Sequence, residues 1–319
     1  MSRYAEIDPA RLKLLSVRDR KTRVTREQFG RPLPDPAAAD ALVESLPDLL
    51  AGRALRDAIG AVVASARAKR PVVLLLGAHV IKVGVQPYLI ELLRRGIVTH
   101  VAFHGAGAIH DAEVALFGTT SEDVEANLAS GTFGLVRETP EFFYRAVAEG
   151  RKRAEGLGET LGRTLCEERA PHAAESLLAE GYRAEIPVTV HVALGTDTIH
   201  MHPAADGAAL GETSMRDFRI LAHTMLETRG ATVLNLGSAV ILPEVFLKAL
   251  TAARNLGASL DGLTTVNLDQ IQHYRPRVNV LERPTQGKGA RGIAITGHHE
   301  LVVPILAQAI LARLAVGVR

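Results

Sequence analysis

Histidines recur where apolar segments of this 319-residue chain give way to polar turns. Seven of the twelve lie in such turns, namely His79, His104, His110, His200, His202, His298 and His299. A histidine titrates near neutral pH, so it can move protons during hydride transfer. The alternative for any one of them is a structural hydrogen bond. We take His110 as a candidate acid–base residue.

His200 and His202 also raise the question of a metal site. Alternate residues of an extended segment point the same way, and a third ligand could come from His191, His298 or Asp206. This spacing is not diagnostic, so no metal is predicted. A metal-dependent hydrolase that uses the histidine cluster remains an alternative function.

Lys82 is one candidate lysine for chemistry. It lies among apolar residues in GAHVIKVG (77–84), where desolvation would lower the pKa of an amine towards that of a nucleophile. Alternatively, it pairs with a phosphate. The single cysteine, Cys166, lies in an amphipathic, acidic segment and is interpreted as a packing residue.

The composition excludes several classes of protein. Lys and Arg number 37 against 35 Asp and Glu, and aromatic residues make up 4% with no Trp, which argues against a nucleic-acid binder. No run of about 18 uncharged apolar residues could span a membrane. The charged N-terminus has no signal-peptide core, so we expect a cytoplasmic protein.

Short apolar strands alternate with glycine-rich turns and helices. Residues 1–36 read as an irregular arm that ends in GRPLPDP, and two helices follow at about 37–50 and 53–69. Strands are predicted around 71–77, 99–107, 186–195, 230–239, 262–267 and 292–296. This order predicts one α/β domain over 37–319, with a mostly parallel, Rossmann-like sheet and helices on both faces.

Ligands of such sheets bind beyond the carboxyl ends of the strands. Five strand ends carry polar or glycine-rich turns, namely GAHVIKVG (77–84), FHGAGAIHD (103–111), GTDTIHMHPAADGAALGE (195–212), NLGSAVILPE (235–244) and TGHHE (296–300). Glycine lets backbone N–H groups approach a phosphate, although it also closes turns for structural reasons. None has the G-x-G-x-x-G pattern, but five turns at one sheet edge indicate a pocket.

The order of these blocks resembles the deoxyhypusine synthase superfamily. PAADGAALGE (203–212) is similar to its proline–x–x–aspartate–glycine–x–leucine–glycine–acid segment, with one inserted residue. NLGSAVILPEVFLKAL (235–250) is similar to its glycine-rich strand–helix turn, and FHGAGAIHD to its threonine–alanine–glycine–glycine turn. The resemblance implies an NAD fold, amine oxidation through an imine on a lysine, and a homotetramer.

The resemblance also implies roles for individual residues. The cofactor contacts that it implies are Gly105, Ala106, Gly107, Asp206, Gly237 and Ser238, and His79, Asn267, His298 and His299 at the other strand ends are further candidate contacts. Asp206 would bind the ribose or amide and Glu212 a substrate ammonium group. The alternatives are a helix-capping or turn aspartate and a first-turn helix acid.

The sequence departs from the family at the catalytic lysine, which in the family follows Trp and Gly. Lys288, in QGKGARG (286–292), follows Gly287 and is the candidate, with Lys82 as its rival and a solvated loop lysine as the alternative. Histidines also replace acids, which suits a substrate less cationic than a polyamine. We therefore expect an NAD-dependent enzyme that oxidises a C–N bond of an amine or amino-acid-like molecule. A non-catalytic NAD-binding regulator is the second alternative.

Overall fold

The computed structural model describes residues 6–315. Its strands are β1 (Thr22–Thr25), β2 (Val72–Leu76), β3 (His100–His104), β4 (Thr119–Glu122), β5 (Val188–His191), β6 (Thr232–Leu236), β7 (Thr264–Asp269) and β8 (Arg291–Thr296). Its first helices are α1 (Ala37–Ser45), α2 (Leu50–Arg67), α3 (Ala78–Lys82), α4 (Gln86–Arg94), α5 (Gly105–Phe117) and α6 (Val124–Ala129). The later ones are α7 (Glu138–Arg153), α8 (Leu157–Glu167), α9 (Leu177–Arg183), α10 (Gly207–Thr224), α11 (Ile241–Asn255), α12 (Tyr274–Pro276) and α13 (His299–Ala315).

Six of these strands form one parallel sheet in the order β5-β3-β2-β6-β7-β8. The central strand β2 is buried on both faces, as its VVLLL sequence predicts. Leu74 and Leu76 pack on the side of Ile59 from α2, and Val73 and Leu75 pack on the side of Phe246 from α11. The predicted fold class, a parallel α/β sheet with helices on both faces, is confirmed.

The segment before Pro36 is more ordered than an irregular arm. Strand β1 pairs antiparallel with β4, with Thr22 opposite Glu122. Arg20 makes a buried bidentate ion pair with Glu113 of α5, at 2.7 and 3.0 Å. The arm is therefore anchored beside the carboxyl end of β3.

Candidate active site

The direction in which the chain adds successive strands to the sheet reverses between β2 and β6. If its six strands are numbered in chain order, their spatial order is 3-2-1-4-5-6, the order of the Rossmann fold. The connection after β2 leads to β3 on one side, whereas β6 is followed by β7 on the other side. The connections that leave β2 and β6 therefore run to opposite sides of the switch point, which in Rossmann folds opens the crevice that binds a dinucleotide.

Two glycines allow these turns to approach each other. A Cβ atom on Gly77 would lie 2.1 Å from the carbonyl oxygen of Gly237. Gly237 has a φ of +70°, and a Cβ atom there would lie 3.0 Å from the ring of His299. Gly77 is therefore needed for the close approach of the two backbones, and Gly237 is needed both for close approach and for its left-handed conformation.

His79 and His299 meet beside Gly237. Their rings pack edge to face, with centroids 5.3 Å apart. The Nε2 atom of the fully buried His299 is 3.1 Å from the carbonyl oxygen of Leu268, so it carries the proton. Burial, with smaller effects from His299 and Lys82, lowers the pKa of His79, so that ring is neutral near pH 7. His298 is exposed and lies 3.6 Å from Glu300 instead.

A cavity of about 220 Å³ lies at the other end of α3, and its lining includes neither Gly77 nor Gly237. Helix α3 connects the two, because His79 at its start lies at the crevice and Lys82 at its end lines the cavity. The other polar lining residues are Arg20, His110, Glu113, Ser121, Glu122, Thr196, Asp197 and Thr198. The structure thus brings together the predicted residues Lys82, Ala106 and His110.

A hydrogen-bond chain fixes the tautomer of His110. Its Nδ1 atom lies 2.7 Å from the hydroxyl of Thr120, which donates to Glu113 over 2.6 Å. Nδ1 is therefore the donor, and Nε2 is left as the basic nitrogen. Burial is the main cause that lowers the pKa of His110 to about 4, so the ring is neutral near pH 7.

Asp197 is a cavity residue that the sequence reasoning missed. It lies in the turn after β5, and a Cβ atom on Gly105 would be 1.9 Å from its Oδ2. The carboxylate therefore occupies the N-terminal end of α5, where the sequence had suggested a phosphate. A Cβ atom on Gly107 would lie 2.8 Å from the ring of Phe103, so this glycine serves packing. The aspartate of GTDTIH, which follows a predicted strand, was the available signal for the site.

Asp206 is the N-cap of α10 and Glu212 lies within this helix, and neither is among the residues that line the cavity. Asp206 is exposed and accepts hydrogen bonds from the N–H groups of Ala208 and Ala209, both at 3.0 Å. Glu212 is exposed and pairs with Arg151 at 3.0 Å. Asp206 thus makes the contacts of the helix-capping alternative, whereas Glu212 lies beyond the first turn of α10, so the first-turn alternative for Glu212 is wrong.

Lys288 is not brought near the crevice. It precedes β8, and its N–H donates to Asp261, which lies before β7, over 3.0 Å. In a parallel sheet the residues before the strands lie at the amino edge, opposite the carboxyl ends. Lys288 therefore lies at the amino edge of the sheet, whereas the pocket residues, including Lys82, lie at the carboxyl edge.

The histidine cluster does not form a metal site among residues 6–315. No group of three or more His, Cys, Asp or Glu side chains there could hold an ion. The Nδ1 atom of His200 accepts from the N–H groups of Gly195 and Asp197, and that of His202 accepts from Ala204, all at 3.1 Å.

Among residues 6–315, no helix is long and apolar enough to cross a membrane.

The sequence matches none of the protein-family models or curated proteins with which it was compared. Similar solved structures include AgrE in complex with ornithine and NAD+, at 14% identity and a TM-score of 0.51 over 88% of this chain and 33% of AgrE. A LOR/SDH-type protein of Methanococcus maripaludis S2 has 16% identity and a TM-score of 0.50 over 99% of this chain and 75% of its own. A deoxyhypusine synthase-like protein of Entamoeba histolytica has 11% identity and a TM-score of 0.49 over 86% and 92%.

The similarities to AgrE and to the LOR/SDH-type protein show a shared fold. At such low identity they leave the relationship to deoxyhypusine synthase as a resemblance. The chain spans about a third of the length of AgrE. The class defined by fold and site is therefore an α/β protein with Rossmann strand order and a polar cavity beside its switch point.

Proposed function

We propose that this protein binds NAD+ in the switch-point crevice and uses it to oxidise a C–N bond of an amine or amino-acid-like molecule. The observation that carries the proposal is the cavity beside the crevice, joined to it by α3. A cofactor in the crevice and a small molecule in the cavity would lie side by side, as hydride transfer requires.

The residues present fit a dinucleotide. Gly77 and Gly237 present backbone without side chains, and the 15-residue helix α11 begins just beyond Ser238, whose hydroxyl accepts the N–H of Leu242 at 3.3 Å. The dipole of this helix would favour a pyrophosphate near its start. When bound, NAD+ accepts the hydride. AgrE, which shares this fold, has been solved with ornithine and NAD+, which supports an amino-acid-like substrate.

The cavity supplies the remaining groups. Lys82 is exposed and offers an ammonium group to a carboxylate, and neutral His110 offers Nε2 as a proton acceptor. Arg20 and Glu113 neutralise each other in their ion pair. A zwitterionic substrate therefore suits this cavity better than a polyamine does, in agreement with the histidines that replace the family's acids.

Calorimetry with NAD+ on the wild type, Gly237→Ala and Gly262→Ala tests the cofactor site. Both glycines have a φ of +70°, but the added Cβ contacts the His299 ring at 3.0 Å in the first and only Gly230, at 3.5 Å, in the second. Both variants should lose similar backbone stability, and only Gly237→Ala should bind NAD+ at least tenfold more weakly. Equal affinities in the two variants would contradict this placement.

NADH formation is then measured with L-ornithine, L-lysine, L-arginine, L-glutamate and spermidine. Turnover of an amino acid supports the enzyme proposal. NAD+ binding without any turnover favours the non-catalytic regulator, and no binding of NAD+ or NADP+ at millimolar concentration overturns the proposal.

A further inference from the structure

Asp197 is a buried acid with an incomplete set of partners. It is 8% exposed and lines the cavity. The backbone N–H of Ala106, at the start of the 13-residue helix α5, faces its carboxylate. Its Oδ2 atom, however, has no hydrogen-bond partner among residues 6–315. A buried carboxylate oxygen without a partner, on a residue that lines a polar cavity, points to a missing donor.

His200 lies beside this oxygen with a defined tautomer. Its Nδ1 atom accepts two backbone N–H groups, both at 3.1 Å, so the proton is on Nε2. Nε2 lies 3.9 Å from the Oδ2 atom of Asp197 and is also buried without a partner in the described part of the chain. The gap is too long for a direct hydrogen bond. A movement of roughly 0.7–1 Å would bring the two atoms into hydrogen-bond distance.

The other acids of the cavity are already in use. Glu113 is paired with Arg20. Glu122 accepts from the side-chain amide of Asn127 at 2.8 Å and from the N–H of Gly134 at 3.0 Å. Among the acids that line this cavity, Asp197 is therefore the one with a buried oxygen that can receive a new donor.

We propose that Asp197 binds the substrate ammonium group and takes up its proton before hydride transfer, with the Nε2–H of His200 holding the carboxylate in place. This inference rests on the proposed function. In the step, one N–H bond of R2CH–NH3+ breaks and an O–H bond forms on Asp197. The neutral amine then loses hydride from carbon to NAD+, which gives an iminium ion and NADH.

The electrostatic surroundings suit a base that works near neutral pH. Burial raises the pKa of Asp197 to about 6, against the lowering effect of the Ala106 N–H. The titratable or charged groups around it and the cavity are Arg20, Lys82, His110, Glu113, Glu122, Tyr144 and His200. An acid with such a pKa is ionised at pH 7 and yet accepts a proton readily.

The test uses the panel amine that gives the fastest NADH formation with the wild type. Asp197→Asn should lower kcat about 100-fold or more and abolish the fall of kcat/KM below pH 6. His200→Asn keeps an acceptor in the position of Nδ1 but removes the Nε2–H. It should move that fall of kcat/KM to higher pH, because the carboxylate loses a donor. Asp48→Asn makes the same chemical change at an exposed acid in an ion pair with Arg53, and its pH profile should match the wild type.

NAD+ calorimetry on each variant separates this inference from the proposed function. If NAD+ binds and the wild type turns over, an unchanged kcat and pH profile in Asp197→Asn overturns the inference alone. A change in KM with kcat and the profile retained would also overturn the proton-transfer role. If Asp197→Asn does not fold, the profile of His200→Asn decides. Absence of turnover with every amine overturns the inference together with the enzyme proposal.

Discussion

The side-chain amide of Asn235 donates a hydrogen bond to the Oδ1 atom of Asn267, 2.7 Å away on the neighbouring strand. Both residues are fully buried. Asn235 also donates to the carbonyl oxygen of Ser238, and Asn267 donates to Gln272, which in turn reaches the carbonyl oxygen of Ile295. This amide chain ties together the turns after β6 and β7 and the end of β8.

Asn267→Leu should therefore destabilise the protein by about 2–4 kcal/mol. The change leaves a buried amide donor on Asn235 and an acceptor on Gln272 without partners, and each unpaired group costs roughly 1–3 kcal/mol. Urea unfolding measures the loss. Asn255→Leu, at an exposed position at the end of α11, is the control and should stay within about 0.5 kcal/mol. Equal stability of the two variants would show that the amide chain is dispensable.

His100 makes stability depend on pH in a defined direction. Its two ring nitrogens each lie 2.9 Å from a threonine hydroxyl, that of Thr224 or Thr189, and burial lowers its pKa to about 3. The unfolded chain, with a histidine pKa near 6.5, then binds more protons than the folded chain. The contribution of His100 to stability is complete above pH 6.5 and is lost as the pH falls towards 3.

His100→Gln should flatten this dependence. We expect the variant to be less stable than the wild type at pH 8. Between pH 6 and 4, however, its free energy of unfolding should fall less steeply than that of the wild type, and the two slopes should differ by about 1 kcal/mol per pH unit. The comparison must be made between variant and wild type, because burial raises the pKa of Asp111 to about 6 and gives a slope of opposite sign. Parallel curves in denaturant titrations over this range would contradict the prediction.

The strands and their turns could be predicted because each is encoded locally. The run VVLLLG ends at a glycine that the structure requires, and β2 occupies 72–76 within the predicted 71–77. The pairing of β1 with β4 could not be predicted, since Thr22 and Glu122 are distant in sequence and neither strand exceeds four residues. The strand order of the six-stranded sheet, and hence the switch point, also depends on pairing between strands that are distant in sequence.

Some site assignments could have been sharper from the sequence alone. Lys288 stands before the predicted strand at 292–296, and in a parallel sheet this places it at the amino edge. Asp206 directly precedes Gly207 and a helical run, the position of an N-cap. The role of Asp197 required the structure, because its contact with Gly105 joins residues on two different turns.

Asp206 gives a prediction that separates capping from cofactor binding. Asp206→Ala should cost about 1 kcal/mol of stability, since it removes the acceptor of two N–H groups, and Asp206→Asn should cost less because Asn caps helices well. If capping is its only role, both folded variants should bind NAD+ within twofold of the wild type. Tenfold weaker binding in Asp206→Asn, measured by calorimetry, would instead assign the carboxylate to the cofactor.

Lys82 and Lys288 give the last prediction, in which the two candidate lysines serve as each other's control. Lys82→Met retains an apolar stem and removes the ammonium group that lines the cavity. Loss of a charge-assisted hydrogen bond to a substrate carboxylate is worth roughly 1.5–3 kcal/mol, so kcat/KM for an amino acid should fall about 10- to 100-fold.

Lys288→Met changes a residue at the amino edge of the sheet, beside Asp261, and should leave kcat/KM unchanged. Comparing L-ornithine with putrescine, which lacks the carboxylate, sharpens the test. The wild type should prefer ornithine, and Lys82→Met should lose most of that preference, since only the substrate with a carboxylate can use the ammonium group. Loss of turnover in Lys288→Met, with Lys82→Met active, would contradict the placement of the substrate in this cavity and favour transfer through an imine on Lys288.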